Sequence, residues 1–347
     1  MEKTTPTQWI TALIALAIFV AAPWFLPHNM TQLVDVMVFI LIALSWDMLG
    51  GQMGYNSFGN ILFFGVGMYL VASIQVWAGG YSLTVYNSAQ GGNLESFAVT
   101  APTFVTSLLL GLVIVAILNF LLGLIVGSQL LKMRGHYFAI GTLGLGVAAG
   151  EFASTMDILG AGSGMNFIQP PDGVELMPFL YFTGLFVVAA FFVLLRWLYS
   201  TRFGFVMNAI RDNEDKAEAM GLPTHNVKAF AWAIAAFFAA IAGGLYGSAK
   251  NFIDPTEVAF SGTTIGVWML LMALMGGKGT IWGPIIGAVV FQLFKEFFWT
   301  FLFGWQRVAL GLLIIVIVVF FPGGVMGGIE RASRSLGFGK SKPEAGI

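Results

Sequence analysis

Apolar residues fall in long uninterrupted runs, without the short polar alternations of a half-buried strand or a surface helix. The runs lie at about 9–26, 33–50, 55–77, 104–131, 137–153, 178–196, 227–249, 263–275, 281–300 and 307–321. Crossing a bilayer takes about 20 apolar residues in a helix. Inside lipid only helices and closed barrels satisfy every backbone polar group, and runs this long and apolar on all faces read as helices. The pattern therefore predicts an all-α polytopic membrane protein of about ten transmembrane helices. The first run follows a short polar start and no small-x-small cleavage site follows it, so it reads as an uncleaved span rather than a signal peptide.

Composition sharpens this. The chain is 58% hydrophobic and only 10% charged over 347 residues, against roughly 25% charged in soluble proteins. That excludes a soluble enzyme, a nucleic-acid binder and a disordered chain. A net charge of −1 gives no field to steer nucleic acid. With no cysteine there is no disulfide, thiol nucleophile or thiolate metal site. His28, His136 and His225 stand far apart, with no neighbour at ligand spacing, so no metal site is expected.

The position of the charges orients the spans. With the N-terminus cytoplasmic, thirteen of the 16 lysines and arginines fall on inner segments. Only Lys250, Lys295 and Arg307 lie outside or near the outer boundary. The positive-inside rule then favours an even number of spans with both termini cytoplasmic. Residues 1–330 read as one permease-like transmembrane domain, and 331–347 as a basic cytoplasmic tail. Two outer connections, Ala78–Thr103 and Ser154–Met177, are long and rich in Gly, Ser and Asn. Each reads either as solvated linker or as a docking surface for an external partner.

The cytoplasmic segment at about 197–226 carries a full set of helix signals. Asp212 or Asn213 can cap a short helix, with Glu214 and Asp215 in its first turn. Gly221 is placed to end it and Pro223 blocks continuation. Ala217 and Met220, three apart, are expected to share a face.

Glycine clusters interrupt the apolar runs. Gly51 and Gly54 mark the junction of the second and third spans, Gly141 and Gly144 the fifth span, and Gly277 and Gly279 the junction of the eighth and ninth. Such positions serve either close helix packing or broken helices along a substrate path. Tyr55, Asn56, Ser57, Thr142 and Thr280 stand beside these clusters. They are candidates for the path, or for satisfying free backbone groups at the breaks. Ionisable residues within spans are few: Asp35, Asp47, Glu151 and the adjacent Lys295 and Glu296. No chain of carboxylates crosses the membrane as a proton-driven carrier would usually need. Nor is there a phosphate loop: Gly339-Lys340-Ser341 lacks the first glycine, and Gly277-Lys278 is followed by Gly279.

Four blocks in order resemble the LivM-type permeases of branched-chain amino acid ABC importers. The stretch Gly204 to Glu214, continuing through Ala217 and Gly221, resembles the family's coupling segment. Arg134-Gly135-His136-Tyr137 through Thr142-Leu143 resembles the block before its threonine-leucine pair. Gly276 to Thr280 with Gly283-Pro284 and Gly287-Ala288 resembles its glycine-rich block, and Phe321-Pro322-Gly323-Gly324 with Gly327 its closing motif. Asp47 and Asn60 stand where the family more often has asparagine and histidine.

The resemblance implies an ABC importer permease in a prokaryotic plasma membrane, the inner membrane of a Gram-negative cell. It would carry branched-chain amino acids or a similar small polar solute inward. Related permeases carry urea, short amides or aromatic acids. It implies a second homologous permease subunit, two ATP-binding subunits and an extracytoplasmic solute-binding protein as partners. The chain itself would be no enzyme and hold no cofactor, with ATP and magnesium on the partner subunits. Arg211, Asp212, Glu214, Ala217, Met220 and Gly221 would face the ATP-binding subunit, Ala217, Met220 and Gly221 making the contact and Arg211 anchoring the helix. The alternative of another class is an ion-coupled secondary transporter.

Overall fold

The computed structural model describes residues 6–89, 97–302, 304–320 and 323–327. The basic tail at 331–347, with Phe321 and Pro322 of the closing motif, lies outside the described residues. Twelve helices are assigned in the described residues: α1 (Pro6–Phe25), α2 (Met30–Gly50), α3 (Asn60–Ala78), α4 (Leu83–Ser88), α5 (Ala101–Leu130), α6 (His136–Thr155), α7 (Leu176–Ser200), α8 (Arg202–Ala219), α9 (Thr224–Lys250), α10 (Val267–Gly276), α11 (Trp282–Phe301) and α12 (Gln306–Phe320). Among the described residues eight helical stretches are long and apolar enough to cross a membrane, and α1 and α12 add two shorter apolar helices. The protein is an all-α, multi-pass membrane protein.

The centre of the bundle is α2 and α9, whose most apolar windows are 94% and 89% buried. Small residues let the backbones meet there. A Cβ added at Gly243 of α9 would stand 2.0 Å from the Phe64 carbonyl oxygen of α3. One added at Gly67 of α3 would stand 2.2 Å from that of Ala240. In lipid such close approach supplies the van der Waals contact that drives helix association. By contrast the windows of α5, α6 and α11 are only 33%, 28% and 33% buried, so these helices carry the molecule's open lateral faces.

Several expectations change. The span expected at 263–275 begins earlier, as two π-helical turns at Pro255–Ala259 and Gly262–Gly266 run into α10. Asp254 Oδ1 caps the first turn, accepting from Thr256 N at 2.9 Å and Glu257 N at 2.5 Å. Ser261 Oγ caps the second, accepting from Thr264 N at 3.2 Å. Gly141 and Gly144 break nothing, because α6 is continuous through both; in an apolar setting its backbone hydrogen bonds outweigh glycine's freedom. Neither outer connection is a plain linker. The first holds α4; the second holds two 3-10 turns and a strand β1 (Met165–Asn166) paired antiparallel with β2 (Phe252–Ile253).

The expected short coupling helix is also different. The segment is the 18-residue α8, broken at Asn213, whose φ −168° and ψ 107° are extended. Asn213 Oδ1 accepts from Lys216 N at 2.9 Å and so caps the second half. Gly221, at φ +77°, closes it in the left-handed region. Because the helix ends at Ala219 and Met220 is already its C-cap, Ala217 and Met220 do not share a face: Ala217 is buried and Met220 is 78% exposed.

Candidate functional site

The end of the bundle holding residues 50–60, 131–136, 200–224 and 277–282 gathers most of the blocks singled out by sequence. Its centre is Glu214, the residue just after the α8 break. Lys228, in the first turns of α9, donates to Glu214 Oε1, and also to Tyr55 Oη and to the Leu131 carbonyl at 3.1 Å each. Tyr55, from the turn between α2 and α3, donates to Glu214 Oε2. Arg134, before α6, spans the segment: its guanidinium bonds Asp215, lies 3.2 Å from Glu218 Oε2 and 3.8 Å from Glu214 Oε2. Thr224 Oγ1 closes the ring on Glu218 Oε1 at 2.7 Å.

One carboxylate thus ties the α8 segment to three other parts of the fold. The side chains of Lys228 and Glu214 are 3% and 11% exposed, so this pair is largely shielded from solvent screening. Burial, and then the bond to Glu214, push the Tyr55 hydroxyl's pKa above its ordinary value, so it stays a donor. Arg134's pKa is also raised, first by its bond to Asp215. The Lys228 ammonium further lies 4.7 Å from the centre of the Tyr55 ring.

Arg211 does not provide the anchor. It pairs with its exposed neighbour Asp212 at 3.5 Å; Glu214, the residue after the extended Asn213, does the anchoring. Lys228 was counted only as an inside charge in the sequence. The signal for it was a lysine at the start of an apolar run, where an ionisable group marks a partner inside the protein.

Beside this clamp, the break at 51–59 docks on the break at 277–281. Asp47 Oδ1 accepts from Gly279 N at 2.7 Å, and Gln52 Nε2 donates to Gly279 O at 2.9 Å. Gly51 is required here: a Cβ would fall 1.9 Å from Asp47 Oδ1 and 2.5 Å from Gly279 N. Gly54, Gly277 and Gly279 all take positive φ. A Cβ added at Gly324, in the closing motif, would stand 2.5 Å from Gly277 N.

The residues expected along a substrate path do not form one lining. Tyr55 belongs to the clamp, and Asn56 is exposed. Ser57 Oγ accepts from Gly59 N at 3.0 Å. Thr142 Oγ1 accepts from Phe58 N at 3.1 Å and donates to Ala139 O at 3.0 Å. Thr280 Oγ1 donates to Gly277 O and accepts from Gly283 N, both at 3.0 Å. These hydroxyls satisfy backbone groups freed by the breaks, the other reading the sequence allowed.

An open groove begins where Thr142 meets Phe58. It runs outward between α6 and the π-helical turns, with a volume of about 460 Å³. At the opposite end of the bundle, Asp35 of α2 is gripped by Lys250 at 2.9 Å and Lys295 at 3.2 Å. Lys295 was expected at the interface, yet its side chain is 12% exposed. It lies over the Phe39 and Trp268 rings at 4.9 Å and 5.4 Å.

Over residues 30–320 the chain matches the family described as branched-chain amino acid transport system / permease component. It is similar to the high-affinity branched-chain amino acid transport system permease protein LivM of Salmonella typhimurium, 24% identical over 99% of this chain and 80% of that protein. A probable branched-chain amino acid transport permease protein LivH of Methanocaldococcus jannaschii is 26% identical over 40% of this chain and 45% of that protein. The autoinducer 2 import system permease protein LsrC of Yersinia pseudotuberculosis is 26% identical over 70% and 68%. No solved structure matches the chain significantly.

Proposed function

Since the chain belongs to the family of branched-chain amino acid transport permease components, we propose that it is one permease half of an ATP-driven importer for branched-chain amino acids or a similar small polar solute. The α8 segment is the coupling element that meets an ATP-binding subunit at the cytoplasmic face. The observation that carries this reading is the Glu214 clamp. A short capped helix exposes Met220 outward while its inward carboxylate is tied to the helix break at 51–59, to α9 and to the turn before α6. A push on such a segment reaches the spans directly, since packed and ion-paired elements move together. The positive-inside pattern supports a cytoplasmic location for this end.

The partners follow from the same reading: a second permease like the LivH relative, two ATP-binding subunits carrying ATP and magnesium, and an extracytoplasmic solute-binding protein. That protein would dock on the opposite end, where α4 and the β1 segment frame an outward cavity of about 690 Å³. The LsrC relative belongs to an autoinducer 2 import system, while the family description and the LivM relative favour a branched-chain amino acid as the solute.

Purification of the chain with its native partners tests the assignment. ATP-binding subunits should co-purify, and reconstituted vesicles should take up L-leucine only with ATP and the solute-binding protein. Met220→Asp should abolish ATP-driven uptake while leaving the chain in the membrane. Uptake that persists without nucleotide and collapses with the ion gradient would identify a secondary transporter instead.

A further inference from the structure

The groove between α6 and the π-helical turns ends on a carboxylate with no partner. Glu151 is exposed on α6, within the stretch of that helix able to cross the membrane. Among the described residues its carboxylate has no ion pair and no hydrogen bond, whereas Asp35, Asp47 and Glu214 are all held by protein groups. A charged side chain left facing lipid is costly, so one within a span faces a watery cavity or a ligand.

The rest of the groove has two characters. Phe58, Val147 and Val267 supply apolar wall; Thr256, Ser261 and Thr263 supply hydroxyls; Glu151 is the one ionisable residue among those lining it. Along α6 the lining runs from Leu143 to Glu151, about 12 Å at 1.5 Å per residue. About 460 Å³ lies in the range of small-molecule sites. Its floor is set by Phe260, whose ring fills the space a Cβ would need at Gly65 and whose own Cβ would stand 3.1 Å from a Cβ added at Gly150.

We propose that this groove is a solute subsite within the permease, selective for molecules that join a primary ammonium group to a small apolar body. Glu151 takes the ammonium, and the Phe58, Val147 and Val267 wall takes the apolar part. The subsite deepens the importer reading and rests on it for its place in transport. It makes the permease a second filter, after the solute-binding protein, that rejects neutral and purely anionic solutes of the same shape. A hydrated ammonium passing into the bundle exchanges water for a carboxylate that needs a counter-charge, and the surrounding hydroxyls keep the exchange shallow enough for release.

The absence of cysteine makes a direct test possible. Thr263→Cys and Val147→Cys would each be made in the full complex without the solute-binding protein. Each would be exposed to 2-aminoethyl and 2-sulfonatoethyl methanethiosulfonate, with modification of this chain followed by peptide mass spectrometry. The cationic reagent should gain about tenfold over the anionic one through a carboxylate a few ångströms away. Glu151→Gln should remove that gain and Glu151→Asp keep it. L-leucine and isoamylamine should slow modification, and 4-methyl-2-oxopentanoate, which has the same body without the ammonium, should not.

A reagent preference unchanged by Glu151→Gln would overturn the proposal, as would equal protection by the oxo acid or cysteines inert to both reagents. So would loss of the second permease from the Glu151→Gln complex, which would make Glu151 an interface residue. Failure of ATP-binding subunits to co-purify would sink the importer reading alone, because labelling of the isolated chain in detergent still reports the subsite.

Discussion

Glu214 and Lys228 should be worth far more to each other than either is to the fold alone. Glu214→Leu leaves the Lys228 ammonium, 3% exposed, with only the Tyr55 hydroxyl and the Leu131 carbonyl at 3.1 Å each. Removing one partner of a buried pair costs about 3–5 kcal/mol. Lys228→Met leaves Glu214 with Tyr55 and, at 3.8 Å, Arg134. Losing a hydrogen bond to a charged group there costs about 1.5–3 kcal/mol. The paired change Glu214→Leu with Lys228→Met removes both charges at similar volume and should cost no more than about 1–2 kcal/mol, because apolar replacement of a buried pair is often near neutral. A double-mutant cycle on these variants, read as tryptophan fluorescence during unfolding in mixed micelles, should give a coupling of about 2.5–7 kcal/mol, the two single costs less that of the pair. Single effects that add to within about 0.5 kcal/mol would refute the reasoning, since that is the behaviour of independent sites. The stable double variant also separates holding from transmission: it should assemble and hydrolyse ATP, yet deliver about tenfold less solute per ATP. Uptake per ATP equal to the parent's would show that the clamp holds the segment without conveying its motion.

Glycine substitutions should divide sharply by place. Gly243→Ala and Gly51→Ala meet backbone or a fixed carboxylate at 2.0 Å and 1.9 Å and should each lose about 1–3 kcal/mol by overpacking, seen as a lower melting temperature in detergent. Gly144→Ala meets nothing within 4 Å and should leave the isolated chain as stable or raise it by up to about 1 kcal/mol. Thr142→Val strips Phe58 N of its acceptor and should cost about 1–3 kcal/mol, with hydrogen exchange at Phe58 rising before that of α3. Asp35→Asn leaves Lys250 and Lys295 facing each other without their shared counter-charge and should destabilise the opposite end, read as faster proteolysis near residue 250; unchanged cleavage would mean that the two lysines reach water on their own.

The spans were legible because their signal is local: each apolar run carries its own evidence, and α1 to α3, α5 to α7 and α9 to α12 fall where the ten runs do. The same holds for the α8 segment's second half, where Asn213 and Gly221 stand in sequence at the positions they cap. What the pattern could not show is how the breaks engage one another. Asp47 and Gly279 are 232 residues apart, and nothing in either run marks the other. Gly141 and Gly144 misled for the opposite reason, since glycine in lipid permits a break without requiring one. Asp47 and Asn60, departures from the related permeases, turn out to hold structure. Asp47 binds Gly279 N, and Asn60 Oδ1 accepts from Trp232 Nε1 at 3.2 Å while its amide reaches Ser45 Oγ at 3.3 Å.

The clamp was illegible for a physical reason that bears on how the protein works. Glu214 reads in sequence as a first-turn acid that favours the helix dipole, and such an acid would face solvent. In the structure Glu214 instead points inward to Tyr55 and Lys228, 159 and 14 residues away, just after the extended Asn213. A continuous helix from Arg202 to Ala219 would place Glu214 four residues after Ile210, on the same buried face. It would do so without the independent swing that a break permits. The break therefore separates two tasks. Arg202–Asp212 packs on the bundle through Val206, Met207 and Ile210, which are buried, while 214–219 is held by Glu214 to the turn at Tyr55 and by Arg134 through Asp215 and Glu218. Asn213→Ala should remove the cap on Lys216 N at a cost of about 1 kcal/mol and favour a straight helix. If tilt at this point carries the stroke, uptake per ATP falls while assembly is kept; if uptake per ATP holds, the two halves of α8 move as one body.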